Sequence, residues 1–416
     1  MSRIMVRGGN RLEGTVEVSG SKNSTLPIMA ACLLSSKPCV LNRVPDIEDI
    51  RVMEGVLREL GAGVERYGDT LVIDGSSVDS WELSDDLTRK MRASNLVMGA
   101  LIGRFGCARV AYPGGCAIGS RPMDLHIKGF HKLGCEVYEA HGYMEAKSQG
   151  LNGCEILLDF PSVGATENIM MAAARAKGVT VIRNAAREPE IVDLQNFLNR
   201  MGARIRGTGL GTIRIEGVGE LGGVTYDVIP DRIEAGTFMV AAGITRGDIV
   251  LENVVSEHLE PIIAKLKETG VEIMKCNGGL RVLGKRPLRP VDLKTLPFPG
   301  FPTDMQPQMM ALLSLAQGTS MIVETVFENR FMHVDELRRM GADIAIEGRA
   351  AIIKGKPHLT GAVVEATDLR AGAALVLAAL RAEGETFIGN AHHIYRGYED
   401  IENKLKQLGA EIFRVD

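Results

Sequence analysis

One short pattern governs what this chain can fold into: the end of an amphipathic helix, a glycine beside a small residue, and the start of a strand, six times over. The copies are Leu60-Gly61-Ala62-Gly63-Val64, Leu133-Gly134-Cys135-Glu136-Val137, Met201-Gly202-Ala203-Arg204-Ile205, Thr269-Gly270-Val271-Glu272-Ile273, Met340-Gly341-Ala342-Asp343-Ile344 and Leu408-Gly409-Ala410-Glu411-Ile412. Successive glycines lie 73, 68, 68, 71 and 68 residues apart. A helix commonly ends on a residue in the left-handed region, which glycine adopts without strain, so each copy marks a helix C-terminus.

Every unit reads in the same order. A first helix rich in small residues (Leu26 to Leu34, Asn95 to Ile102, Ala165 to Ala176, Ala235 to Ile244, Gln308 to Ala316, Ala371 to Leu380) precedes a short strand, a second helix and a hairpin. Val179 to Ile182, Ile249 to Glu252 and Ser320 to Val323 are strands between helices, and Ile205 to Ile215 is a hairpin across a glycine-rich turn. The sixth unit runs out after Ala410 to Val415, while Arg3 to Arg7 is a strand without a partner. Pairing the two completes the unit. A chain of 416 residues exceeds what one core fills, so three units per domain give a first domain of 22–229 and a second of 230–416 plus 1–21. A six-unit solenoid is the alternative, but solenoids usually have shorter repeats and capped ends. The fold class is α/β. The first-helix N-termini, near Lys22, Arg92, Gly164, Glu234, Asp304 and Arg370, can converge and attract anions through free N–H groups.

Composition removes other classes. The net charge of −4 argues against nucleic acid as a partner. The longest apolar run, Ala371 to Leu380, is far shorter than the roughly 20 residues a bilayer requires, so no membrane partner is expected. The first residues lack the apolar stretch of a secretory signal, which predicts a cytoplasmic protein. Seven cysteines without a Cys-x-x-Cys pair point to reduced thiols and to no metal site.

Candidate chemistry concentrates at helix starts. Ser21 reads as an N-cap after the Val16 to Val18 strand and the Gly20 turn, placing Lys22 and Asn23 in a first helical turn. A cation there is electrostatically misplaced unless an anion is bound; the plain alternative is a solvated lysine. Pro113 to Pro122 puts Cys116 among three glycines beside Arg121, which would lower the thiol pKa, whereas a free cysteine is more often a small core residue. Asp304 and Asp368 open helices and read by default as N-caps. Arg330, Arg370 and Arg396 join Arg121 as arginines at helix starts, a set suited to phosphate and carboxylate. Gly207 to Gly211 lies inside a hairpin turn and is no nucleotide fingerprint; His392-His393 reads as structural and Arg338-Arg339 as a solvated face.

With these residues in place, the chain resembles the UDP-N-acetylglucosamine 1-carboxyvinyltransferase family of enolpyruvyl transferases. The motifs are Gly20 to Asn23, Pro113 to Leu125, Val163 to Glu167, Pro230 to Gly236, Phe301 to Asp304, Phe327 to Val334, Asp368 to Gly372 and Arg396 to Tyr398. The resemblance implies two domains, each of three βαβαββ-type units (an inside-out α/β barrel), with the active site in the interdomain cleft. It implies transfer of the enolpyruvyl group of phosphoenolpyruvate to the 3′-hydroxyl of UDP-N-acetylglucosamine, the first committed step of peptidoglycan precursor synthesis, with no cofactor and no metal.

By the same resemblance Asp304 is the base and Cys116 the general acid or covalent partner. Lys22, Arg121 and Arg396 hold the phosphate, and Arg330 and Arg370 the carboxylate. Lys22 and Arg396 stand with Cys116 and Asp304 as the catalytic set. Asn23, Arg92, Arg121, Pro122, Met123, Asp124, Leu125, Ser162, Val163, Asp304 and Val326 contact the nucleotide sugar. Phe160-Pro161 departs from the family, standing where many members carry a polar or basic residue. Two other readings remain: transfer to 3-phosphoshikimate, against which the Gly-Gly-Cys loop argues, and a non-catalytic UDP-sugar-binding paralogue. The oligomeric state is left open.

Overall fold

The computed structural model describes residues 3–84, 95–111, 118–119, 123–285 and 287–415. They form two compact units. One holds the described residues within 20–229 apart from 118–119; the other holds those within 3–19, 118–119 and 230–415.

In the unit around 20–229, the first helices of the three repeats are Lys22–Ala31, Val97–Phe105 and Val163–Ala173. In the other they are Arg232–Thr245, Gln306–Leu313 and Leu369–Arg381. These helices are the interior. All residues of Arg232–Thr245 are buried, and the other inner helices are buried over most of their length. Alanines and glycines let them pack closely, and a helix without a polar stripe has to be enclosed on all sides. Second helices such as Glu48–Glu59 and Pro189–Arg200 instead bury one face. Each unit has its own apolar core.

The sheets repeat one plan. Cys39–Asn42 pairs in parallel with Thr225–Asp227 and antiparallel with Thr70–Asp74, which forms a hairpin with Gly63–Tyr67. The sheets built on Val179–Arg183, Asp248–Glu252 and Thr319–Val323 follow the same order. The expected hairpin is present, with Ile205 opposite Ile215. In the sixth sheet Arg3–Arg7 takes the place of the return strand, antiparallel to both Glu385–Gly389 and Glu411–Val415, with Arg3 opposite Val415.

All six repeat glycines, Gly61, Gly134, Gly202, Gly270, Gly341 and Gly409, have φ between 91° and 108°, the conformation that a Cβ would strain. Most inner helices begin earlier than their apolar periodicity indicates, because their first turns carry polar residues such as Lys22, Arg232, Gln306 and Arg370. Among the described residues no helix is long and apolar enough to cross a membrane.

Candidate functional site

In the 20–229 unit Ser21 caps the Lys22–Ala31 helix, its hydroxyl accepting from the Ser24 N–H at 3.3 Å. Lys22 is not a solvated lysine. Its ammonium lies 2.5 Å from Asp49, and both side chains are largely buried. Asp49 therefore supplies an anion at this helix start, a partner that the sequence reading missed because Glu48-Asp49 looks like ordinary acidic decoration of a first turn. Asn23 follows Lys22, half-buried. Ser162 caps Val163–Ala173 by accepting from the Ala165 N–H at 3.4 Å, so Ser162 and Val163 sit together at a second inner-helix start. Met123 is buried, Asp124 begins the Asp124–Lys132 helix with its side chain exposed, and Leu125 is half-buried. Phe160 is exposed beside half-buried Pro161. One helical turn beyond Val163, Glu167 is fully buried, and burial, reinforced by Glu190 and Glu188, pushes its carboxyl well above the usual range. Cys116, Arg92, Arg121 and Pro122 lie outside the described residues.

The expected first domain of 22–229 does not hold the whole glycine-rich segment, because Ile118 and Gly119 group with the other unit. The Ile118 carbonyl accepts from the Asn329 N–H at 3.0 Å, and a Cβ on Gly119 would stand 2.4 Å from a Glu328 carboxylate oxygen.

In that unit three aspartates at inner-helix starts divide by role. Asp368 is an N-cap, accepting from the N–H groups of Arg370 at 2.9 Å and Ala371 at 3.1 Å. Asp231 does the same for Ile233 and Glu234. Asp304 makes no cap among the described residues: it lies in the Thr303–Met305 turn, and the Gln306–Leu313 helix that follows has no side-chain cap. Its default reading as a cap is thereby overturned, because both oxygens go to arginines. Oδ1 accepts from Arg330 Nη2 at 3.0 Å, and Oδ2 accepts from Arg370 Nη2 at 3.1 Å and Nε at 3.3 Å. The arginine side chains are 3% exposed and Asp304 28%. Arg330 Nε and Nη1 and Arg370 Nη1 are buried without a hydrogen-bond partner among the described residues. A buried donor left unsatisfied costs about 1–3 kcal/mol, more when charged, so three of them mark a place built for an acceptor.

Glu324 fixes this corner, and nothing in the sequence pattern singled it out. Buried, it accepts from the Thr295 and Thr303 hydroxyls, each at 2.8 Å, and from the N–H groups of Val326 at 2.8 Å and Phe327 at 3.2 Å. One carboxylate thus ties the turn carrying Asp304 to the segment running from Val326 to Arg330. Nearby, burial depresses His333 to about 4, with the Arg330 charge acting the same way and Asp368 opposing it, so the ring is neutral near pH 7. Arg396 lies half-buried after the His392–Tyr395 helix, close enough to help hold His393 below its usual value, chiefly an effect of burial. Among the described residues no group of His, Cys, Asp and Glu side chains could hold a metal ion.

The family described as EPSP synthase (3-phosphoshikimate 1-carboxyvinyltransferase) matches residues 6–405. UDP-N-acetylglucosamine 1-carboxyvinyltransferase 1 of Caldanaerobacter subterraneus subsp. tengcongensis is 58% identical over 413 residues, covering 99% of both chains. The protein of the same name from Carboxydothermus hydrogenoformans is 56% identical over 416 residues, covering 100% of this chain and 99% of its own. Among solved structures, the enolpyruvyl transferase NikO from Streptomyces tendae superposes with a TM-score of 0.90 at 30% identity, covering 100% of this chain and 99% of that one.

Proposed function

The chain belongs to the UDP-N-acetylglucosamine 1-carboxyvinyltransferases, and on that premise we propose that it transfers the enolpyruvyl group of phosphoenolpyruvate to the 3′-hydroxyl of UDP-N-acetylglucosamine with release of phosphate. The observation that carries the reading is the buried pair Arg330 and Arg370, which share Asp304 and leave three donor nitrogens without a partner among the described residues. Planar guanidinia suit a carboxylate. Lys22, Arg121 and Arg396 take the phosphate, and Asn23, Arg92, Arg121 to Leu125, Ser162, Val163, Asp304 and Val326 contact the nucleotide sugar.

Asp304 is the base. With both oxygens spent on arginines it has little left to offer a hydroxyl. A substrate carboxylate that draws Arg330 and Arg370 to itself releases Asp304 to accept the 3′-hydroxyl proton, so binding and deprotonation are coupled. The sugar oxygen bonds to the central carbon of phosphoenolpyruvate while Cys116 protonates the methylene. The tetrahedral intermediate then expels phosphate and loses a methyl proton, which leaves the enolpyruvyl ether. This reaction commits carbon to peptidoglycan precursors, so the protein serves cell-wall growth, shape and division, and its substrates place it in the cytoplasm.

Phosphate release from phosphoenolpyruvate, measured with UDP-N-acetylglucosamine and with shikimate 3-phosphate, tests the reading. Release with the nucleotide sugar alone is expected. Release with shikimate 3-phosphate alone, or with neither, overturns it. Cys116 has its own test, since a thiol that acts on phosphoenolpyruvate should be alkylated selectively by the phosphonate epoxide fosfomycin. Peptide mapping should find one adduct, on Cys116, and labelling spread over several cysteines would remove its role.

A further inference from the structure

At the centre of the 230–415 unit, where its three inner helices meet, the apolar core contains a polar triangle. Tyr398 Oη is 2.9 Å from Thr237 Oγ1, and Gln308 Nε2 is 3.2 Å from the phenol oxygen and 3.3 Å from the threonine oxygen. Thr237 belongs to Arg232–Thr245, Gln308 to Gln306–Leu313, and all three side chains are buried. The Thr237 hydroxyl can donate to the Ile233 carbonyl at 2.8 Å, and the Tyr398 phenol is bonded to both Thr237 and Gln308. The ring of Tyr398 is therefore held in one orientation.

Over that ring stands the third inner helix's contribution, Arg370, with its guanidinium carbon 5.3 Å from the ring centroid. Arg330 stands over Phe327 at 5.2 Å, a ring with no hydroxyl to pin it. A core of this kind gains stability from apolar packing, and a buried polar network is expensive unless fully connected, so the triangle calls for a role beyond filling space. We propose that Tyr398, fixed by Thr237 and Gln308, is a positioning residue that sets the plane of the Arg370 guanidinium for the carboxylate of phosphoenolpyruvate. The cation is attracted to the ring face, and a fixed face gives the cation a fixed plane. Binding then does not have to order that side chain. The proposal rests on the reading of Arg370 as a carboxylate ligand.

Tyr398→Phe keeps the ring and removes the pin. Steady-state kinetics of the full chain should show the KM for phosphoenolpyruvate raised about five- to tenfold, with the KM for UDP-N-acetylglucosamine changed less than about twofold. Thr237→Val removes the hydrogen-bond partner from the other side and should give the same split. Arg370→Lys is the control. If it leaves the phosphoenolpyruvate KM unchanged, the carboxylate reading itself fails. If it raises that KM and Tyr398→Phe does not, only the positioning role fails. Equal changes in both KM values, or loss of the fold in both Tyr398→Phe and Thr237→Val, would make the triangle structural and overturn the proposal.

Discussion

Asp304 is only part-buried, yet it pairs with two side chains that are almost wholly enclosed. Asp304→Asn leaves an amide nitrogen facing one guanidinium and removes the carboxylate that contacts both. The variant should lose turnover by roughly 10²–10⁴-fold, as expected for a missing base, and should also melt at lower temperature, because breaking a buried ion pair strands its charged partners. Added phosphate should recover part of the melting temperature by occupying the arginines. Near-normal turnover would end the base assignment. Helix-start arithmetic and resemblance nominated Asp304, Arg330 and Arg370 from the sequence. They did not nominate Asp49, Glu324, Thr237 or Gln308, and marked Tyr398 only as the end of a motif, without a role. Each of those has an ordinary local explanation, as first-turn acid, strand-end residue or core filler, and acquires its meaning only from a partner far away in the chain.

Helices and strands were legible where composition and period agreed, and the left-handed glycines located second-helix ends well. First turns of inner helices were not legible, since the polar residues there break the apolar pattern that identifies the rest. Glu234, in the first turn of Arg232–Thr245, shows what such a residue does. It is fully buried, paired with Lys404 at 2.6 Å, and accepts from the Ser19 N–H at 3.2 Å. Burial pushes its carboxyl up to about 7, with Lys404 pulling the other way. An acid whose folded pKa lies above its unfolded one binds more protons folded, so stability falls as pH rises from about 4.5 to about 7 and is flat beyond. Denaturant unfolding of Glu234→Gln across that window should show a slope less negative than the parent's by up to about 1.4 kcal/mol per pH unit. Lys404 keeps its bond to Ser19 Oγ in the variant. Parallel pH profiles would place Glu234 among ordinary surface acids.

For the whole molecule, the repeat count read from six glycines gave the plan of the sheets, and the odd strand at residues 3–7 found its place by elimination. Arg3–Arg7 is central in its sheet, and Ile4 and Val6 are fully buried. Removing residues 1–8 should destabilise the unit that contains it by roughly 3–6 kcal/mol from those two side chains alone. Calorimetry should show the transition of that unit lowered and that of the 20–229 unit retained. An unchanged profile would mean that the strand contributes nothing to the fold.

That central strand also sets a timetable. Its partners, Glu385–Gly389 and Glu411–Val415, emerge from the ribosome hundreds of residues after it, and so does Asp248–Glu252, the partner of Glu13–Glu17. Between them the chain makes all of residues 20–229, whose sheets close among themselves. During synthesis the early segment, with Ile4, Val6 and Val16 uncovered, has to wait as an open edge while a complete unit folds behind it. Non-local pairing of this span is slow and vulnerable to wrong partners, so this strand finds its place late in the folding of its unit.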